Sequence, residues 1–107
     1  GRKTIELMTM NHLPGGRDMT ELSISSFSQT TSEGFGFGLG FAVHLGSVES
    51  QIIGSYGEFF WGGAASTAFW IDPAEDLIVI FLTQFIPDGT FSFRNQLKAI
   101  IYPSIID

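Results

Sequence analysis

The chain has no cysteine, which removes disulfides and thiolate chemistry at once and leaves its redox compartment unread. It is poor in basic residues: five Lys and Arg stand against eleven Asp and Glu, a formal charge of −6. Nucleic-acid binding needs cations to meet phosphates, so that class is excluded, and solubility explains the acidity. No apolar run approaches the ~18 residues of a membrane span. The opening GRKTIELMTM lacks the apolar core of a signal peptide. It also lacks an initiator Met, which hints at a processed or internal piece. Two histidines and scattered acids give no H-E-x-x-H and no metal-ligand cluster, so neither a metal nor any other cofactor is expected.

What is present is aromatic and apolar. Hydrophobic residues make up 44% of the 107, eleven of them Phe, so disorder is excluded and one domain at most is expected. Residues 3–11 read as a short helix with Ile5, Leu7 and Met8 on its apolar side, ended by Pro14 and Gly15-Gly16. The polar stretch 17–33 reads as loop. In GFGFGLGFAVH, residues 34–44, bulky Phe35, Phe37, Leu39, Phe41 and Val43 alternate with small residues. That period of two predicts one strand with close backbone approach on its glycine side. No G-x-G-x-x-G exists there, so a phosphate loop is excluded.

A connector follows, with a short strand at 51–53, and three more strands at 58–62, 66–72 and 77–84. Asp72-Pro73 suits a tight turn, so the last two should form an antiparallel hairpin. Phe93, Leu97, Ile100 and Ile101 carry helical spacing, with Thr90 or Ser92 available as N-cap and Pro103 as the stop. The expected class is therefore α+β: an antiparallel sheet of about four strands with an N-terminal and a C-terminal helix. Leu77, Val79 and Phe81 oppose Ile78, Ile80 and Leu82, so the last strand is apolar on both sides. Strands of that kind are covered on both sides. Two helices cover about one face, and the other lacks a partner.

At Trp61-Gly62-Gly63 the pattern becomes recognisable. GEFFWGGAASTAFWIDPAEDLIVIFLTQ resembles the C-terminal part of serine β-lactamase-related hydrolases, nearest to class C β-lactamase-like, penicillin-binding-protein-like esterases. KTIELMTMNHLPGG, GFGFGLGFAVHL and the final helix with Phe93 and Arg94 agree, so the likeness spans nearly the whole chain. It implies ester or amide hydrolysis by a Ser activated by Lys and Tyr, with an oxyanion held by two backbone N–H groups. It also implies that Ala64 supplies the strand N–H and that Gly62 and Gly63 let substrate run along the strand. Trp61 takes the place of a Lys, which suggests an esterase-like ancestry.

The S-x-x-K box is absent, because the only lysines are Lys3 and Lys98 and Lys98 follows Asn95 by three. Y-x-N is absent after Tyr56 and Tyr102 as well, so no catalytic residue is assigned. Ser66 lacks a G-x-S-x-G context, His12 and His44 read as surface or packing residues, and Glu75 and Asp76 as a solvated turn. Two readings remain. The chain is a partial β-lactamase-like domain, 1–107, inactive without a missing N-terminal portion. Alternatively it is a stand-alone binding or oligomerisation module, a homo-oligomer or a holder of a small ester or apolar ligand. The resemblance implies a soluble protein of a bacterial-type cytoplasm or periplasm.

Overall fold

The computed structural model describes residues 1–22 and 33–107. In chain order it contains α1 (Arg2–Met8), a 3-10 turn at Pro14–Gly16, α2 (Met19–Leu22), β1 (Phe35–Phe37), β2 (Ala42–His44) and α3 (Ser47–Ser50). Then come β3 (Phe59–Gly62), β4 (Ala68–Asp72), β5 (Leu77–Phe81), α4 (Phe93–Ile101) and a second 3-10 turn, Tyr102–Ser104. The strands form one five-stranded antiparallel sheet in the order β1-β2-β3-β4-β5. The class is α+β, as the sequence implies, with one strand more than expected.

The extra strand comes from the glycine-rich stretch. Residues 34–44 are not one strand but a hairpin, with Phe35 opposite His44 and Phe37 opposite Ala42. The Gly38 N–H donates to the Phe41 carbonyl at 2.8 Å and closes the turn. Gly40 has φ +131°, a value L side chains rarely adopt, so alternation runs through the turn without a break in the sequence pattern. The bulky and small faces read from the sequence are thereby mixed. Phe35, Phe37, Ala42 and His44 share one side.

The short strand expected at 51–53 is absent. Ser50 Oγ accepts from the Ile52 N–H at 3.1 Å and Gln51 adopts φ 58°, so the chain turns there after α3. Within 17–33, Met19–Leu22 forms a helical turn and 23–32 lie outside the described residues.

Register assigns the faces. On one, Phe35, Ala42, Phe60 and Trp70 are buried with Tyr102, and Leu77, Val79, Leu97 and Ile101 pack around them. α4 covers this face. Ile100, expected on its apolar stripe, is 70% exposed, and Lys98 is buried instead. On the opposite face the N-terminal segment covers the β1 end. Asn11 Oδ1 accepts from the Phe37 and Leu13 N–H groups, both at 3.1 Å. A Cβ on Gly36 would lie 2.3 Å from Asn11, so only glycine fits beneath it. The β5 end of that face is bare: Ile78, Ile80 and Leu82 are 65%, 68% and 79% exposed. The sequence expectation of one uncovered apolar side holds there. Patches of this kind are uncommon on soluble monomers.

Candidate functional site

Trp61, Gly62, Gly63 and Ala64 come together at the end of β3, because the sheet is ragged there. β2 pairs with β3 only at Val43–Phe59 and Ala42–Phe60, whereas β4 pairs with β3 through Gly62. Trp61 and Gly62 therefore project past β2 with a neighbour on one side. The Gly63 N–H donates to the Thr67 carbonyl at 3.0 Å, toward β4. Polar groups of successive residues in an antiparallel strand point to alternate sides. The Gly62 N–H and carbonyl thus point to the open side. Ala64 lies in the turn that follows β3, which the Ser66 N–H closes by donating to the Gly63 carbonyl at 3.0 Å; it is exposed, and its N–H has no backbone acceptor among the described residues.

Trp61 is 43% exposed and meets Phe37 edge-on, ring centroids 5.5 Å apart. A cavity of about 580 Å³ opens beside these residues, walled by Phe60 to Ala64 and by the segment from Asp88 into the first turn of α4. Its floor is tied down by Ser66, which is buried at φ 68°. Its hydroxyl donates to the Phe85 carbonyl at 2.6 Å, and the Phe85 N–H donates to the Ala65 carbonyl at 3.0 Å. Ser66 is a tether between two loops.

The sequence reading missed the polar cluster under α4. Glu58, Asp72 and Lys98 are at most 1% exposed. Lys98 Nζ donates to Glu58 Oε1, forming a buried ion pair. The Tyr102 hydroxyl lies 2.6 Å from Glu58 Oε2 and 2.7 Å from Asp72 Oδ2. Its one proton serves one carboxylate at a time. Burial, followed by these two carboxylates, pushes the phenol far above its ordinary range. Asp72 Oδ1 also accepts from the Ala74 and Glu75 N–H groups at 3.0 and 3.2 Å, which fixes the β4–β5 turn. Lys98 and Tyr102 are one helical turn apart, and that i, i+4 spacing was the available signal. Nothing in sequence order marked Glu58 or Asp72 as their partners. The Trp70 Nε1–H, beneath Lys98, has no hydrogen-bond partner among the described residues.

His44 is a packing residue, fully buried against Phe35. Nδ1–H donates to the Ser55 carbonyl at 3.0 Å, which leaves Nε2 to accept from the Ser50 hydroxyl at 2.6 Å. This geometry suits the neutral ring. Burial lowers its pKa and outweighs the Ser55 carbonyl, which acts upward. The unfolded chain therefore takes up a proton near the ordinary imidazole value of 6.5 and the folded chain only below it. The stability due to neutral His44 is complete above that value and declines as pH falls below it. Urea midpoints measured from pH 7.5 down to 5 should fall in the parent chain and fall less in His44→Gln. Equal slopes would remove His44 as the source.

His12 is exposed and bonds the Leu7 carbonyl through Nε2 at 2.6 Å. Glu75 and Asp76 are exposed turn residues. Among the described residues no group of acids and histidines is placed to hold a metal, and no helix is long and apolar enough to cross a membrane.

The five-stranded antiparallel sheet with its helices has the β-lactamase-like serine hydrolase fold. EstCE1, a hydrolase with promiscuous acyltransferase activity, superposes with a TM-score of 0.72 at 25% identity, over 94% of this chain and 24% of that one. Simvastatin synthase (LovD) from Aspergillus terreus superposes with a TM-score of 0.72 at 18% identity, over 99% of this chain and 30% of that one. The chain thus spans under a third of the length of either. No family model matches it, and no curated protein matches its sequence.

Proposed function

We propose that the chain is the C-terminal, substrate-edge portion of a β-lactamase-like serine hydrolase acting on esters or amides. The observation that carries this reading is the ragged end of β3. Gly62 offers a strand edge on which a substrate can lie as an added strand, and Ala64 offers an N–H that no backbone group among the described residues claims. An N–H held in a hydrogen-bonded turn, here closed by the Ser66 N–H on the Gly63 carbonyl, is already oriented when charge develops on a carbonyl oxygen, so little reorganisation is needed at the transition state. Glycine at 62 and 63 keeps side chains out of that path. Trp61 and the aromatic cavity favour an apolar acyl or alcohol group. Turnover requires a Ser nucleophile with its Lys and Tyr, which this sequence does not contain in the required spacing. Residues 1–107 are then part of one domain, and the rest of it would cover Ile78, Ile80 and Leu82.

A chimera tests this. Replacing the matching quarter of EstCE1 by this chain should give a hydrolase active on p-nitrophenyl esters, while the chain alone should not exceed the rate of free imidazole. A folded but inert chimera, or turnover by the chain alone, would contradict the reading. The bare β5 end of the sheet supports a second reading: a non-catalytic binding or oligomerisation module that buries this face against another copy. Light scattering that shows a stable, inert dimer would favour it.

A further inference from the structure

We infer that Ser50 and His44 form a second nucleophilic centre, at which Ser50 accepts the acyl group of a small activated ester. The centre lies outside the Trp61–Ala64 cavity and shares no residue with it. His44 ends β2, Ser50 ends α3, and Ser55 lies in the connector that leads to β3. The Ser50 hydroxyl stands 2.6 Å from His44 Nε2, and Nδ1–H donates to the Ser55 carbonyl at 3.0 Å. A serine bonded to a base that a third group orients is the arrangement nucleophilic catalysis requires. Here a backbone carbonyl takes the orienting place.

The hydroxyl has one proton and two acceptors in reach: His44 Nε2 at 2.6 Å and the Ile52 carbonyl at 3.3 Å. The shorter bond, to the more basic atom, takes it. The Ile52 N–H donates to Ser50 Oγ at 3.1 Å, which stabilises the negative charge that grows there as the proton leaves. The imidazole is held in place. Its ring stacks on Phe35, centroids 5.1 Å apart and planes 25° from parallel. A Cβ on Gly54 would lie 3.1 Å from Nδ1, so glycine there leaves room for the bond to Ser55. Gln51 follows the nucleophile at φ 58°, an unfavourable conformation for a residue with a Cβ. Ser50 is half-buried while Val48, Glu49 and Gln51 around it are exposed, which opens a path for a small donor.

Burial keeps His44 neutral and able to take a proton. It draws the pKa below 6.5; the Ser55 carbonyl acts upward, Lys98 on α4 downward, and Glu58 before β3 and Asp72 on β4 upward. An imidazole of lowered pKa is a weak base, so the centre suits esters with good leaving groups. In the step, Ser50 Oγ bonds to the acyl carbon and its proton passes to His44 Nε2. The bond from that carbon to the aryl oxygen breaks, and the leaving oxygen takes the proton from Nε2. His44 is fully buried and the acylated Ser50 covers its Nε2, so water does not reach the base and the acyl group stays.

The test uses the whole 107-residue chain and p-nitrophenyl acetate in excess at pH 8. The chain should release one equivalent of p-nitrophenol and stop, and peptide mapping by mass spectrometry should place one acetyl group on Ser50. Ser50→Ala should abolish the release. His44→Gln should slow acylation by about 10²-fold or more, the usual contribution of a general base. In the parent chain the rate should stay level down to pH 6.5 and fall below it as His44 takes up a proton. That readout needs no variant, and a merely structural His44 would not produce it.

An acetyl group on another residue overturns the inference, as does release that survives Ser50→Ala or a folded chain that is not acylated. A rate that follows hydroxide over the whole range overturns it as well. Release beyond one equivalent does so too, since the buried base would then have met water. The hydrolase reading is decided separately by the chimera assay, which follows sustained turnover and not a single equivalent.

Discussion

Lys98→Met should cost the fold more than any other single change in the chain. The substitution keeps volume and apolar stem but leaves Glu58, which is fully buried, without its cation. Breaking a buried pair from one side typically costs about 3–5 kcal/mol, because the remaining charge is neither solvated nor compensated. A small domain has only about 5–15 kcal/mol in total. The variant should therefore unfold at much lower urea than the parent, or fail to fold at 25 °C. Glu58→Gln combined with Lys98→Met removes both charges and should recover most of the loss. The amide can still receive the Tyr102 hydroxyl on its oxygen. If the double variant is no more stable than Lys98→Met alone, the cost lies in packing and not in an orphaned charge. Urea unfolding followed by circular dichroism separates the two, since a shifted midpoint at constant slope reports stability alone.

The same cluster explains which parts of the molecule could be read in advance. The β4–β5 hairpin was legible because its determinants are local: Asp72 accepts from the two N–H groups that follow Pro73, and the flanking residues alternate. The bare face was legible because β5 is apolar on both sides and the chain is short of helix to cover it. The hairpin at residues 34–44 was not. A glycine-mediated turn preserves a period of two, so one strand and two strands look alike until the Gly38–Phe41 hydrogen bond is seen.

The polar cluster was hidden for a different reason. Glu58 just before β3, Asp72 on β4, Lys98 on α4 and Tyr102 in the 3-10 turn after it come from four segments, and their meaning depends on burial that only the tertiary packing of α4 creates. Lys98 also displaces the expected Ile100 from the buried stripe, since a cation inside a core is readable only with its counter-ion in view. At the candidate site, Trp-Gly-Gly was visible as a motif. That its Gly62 edge is open could not be known before the β2 ladder was found to stop at Phe60.

In the active chimera, deleting the Ala64 N–H should have the largest effect on rate. Ala64→Pro removes that proton and nothing from a side chain that the strand pairing uses. Loss of one oxyanion donor lowers kcat by about 10²–10³ in hydrolases of known mechanism. The loss should fall on kcat with KM nearly unchanged, because the hydrogen bond strengthens only as the carbonyl oxygen gains charge. Ala64→Gly keeps the N–H and should stay close to the parent rate. Proline also restricts φ, so a second route to the same deletion is needed. An ester in place of the Gly63–Ala64 peptide bond removes the proton without a ring and should show the same loss. Should the ester variant turn over substrate at the parent rate, the Ala64 amide does not hold the oxyanion. The Gly62 N–H, which points to the open side of β3, would be the donor to delete next.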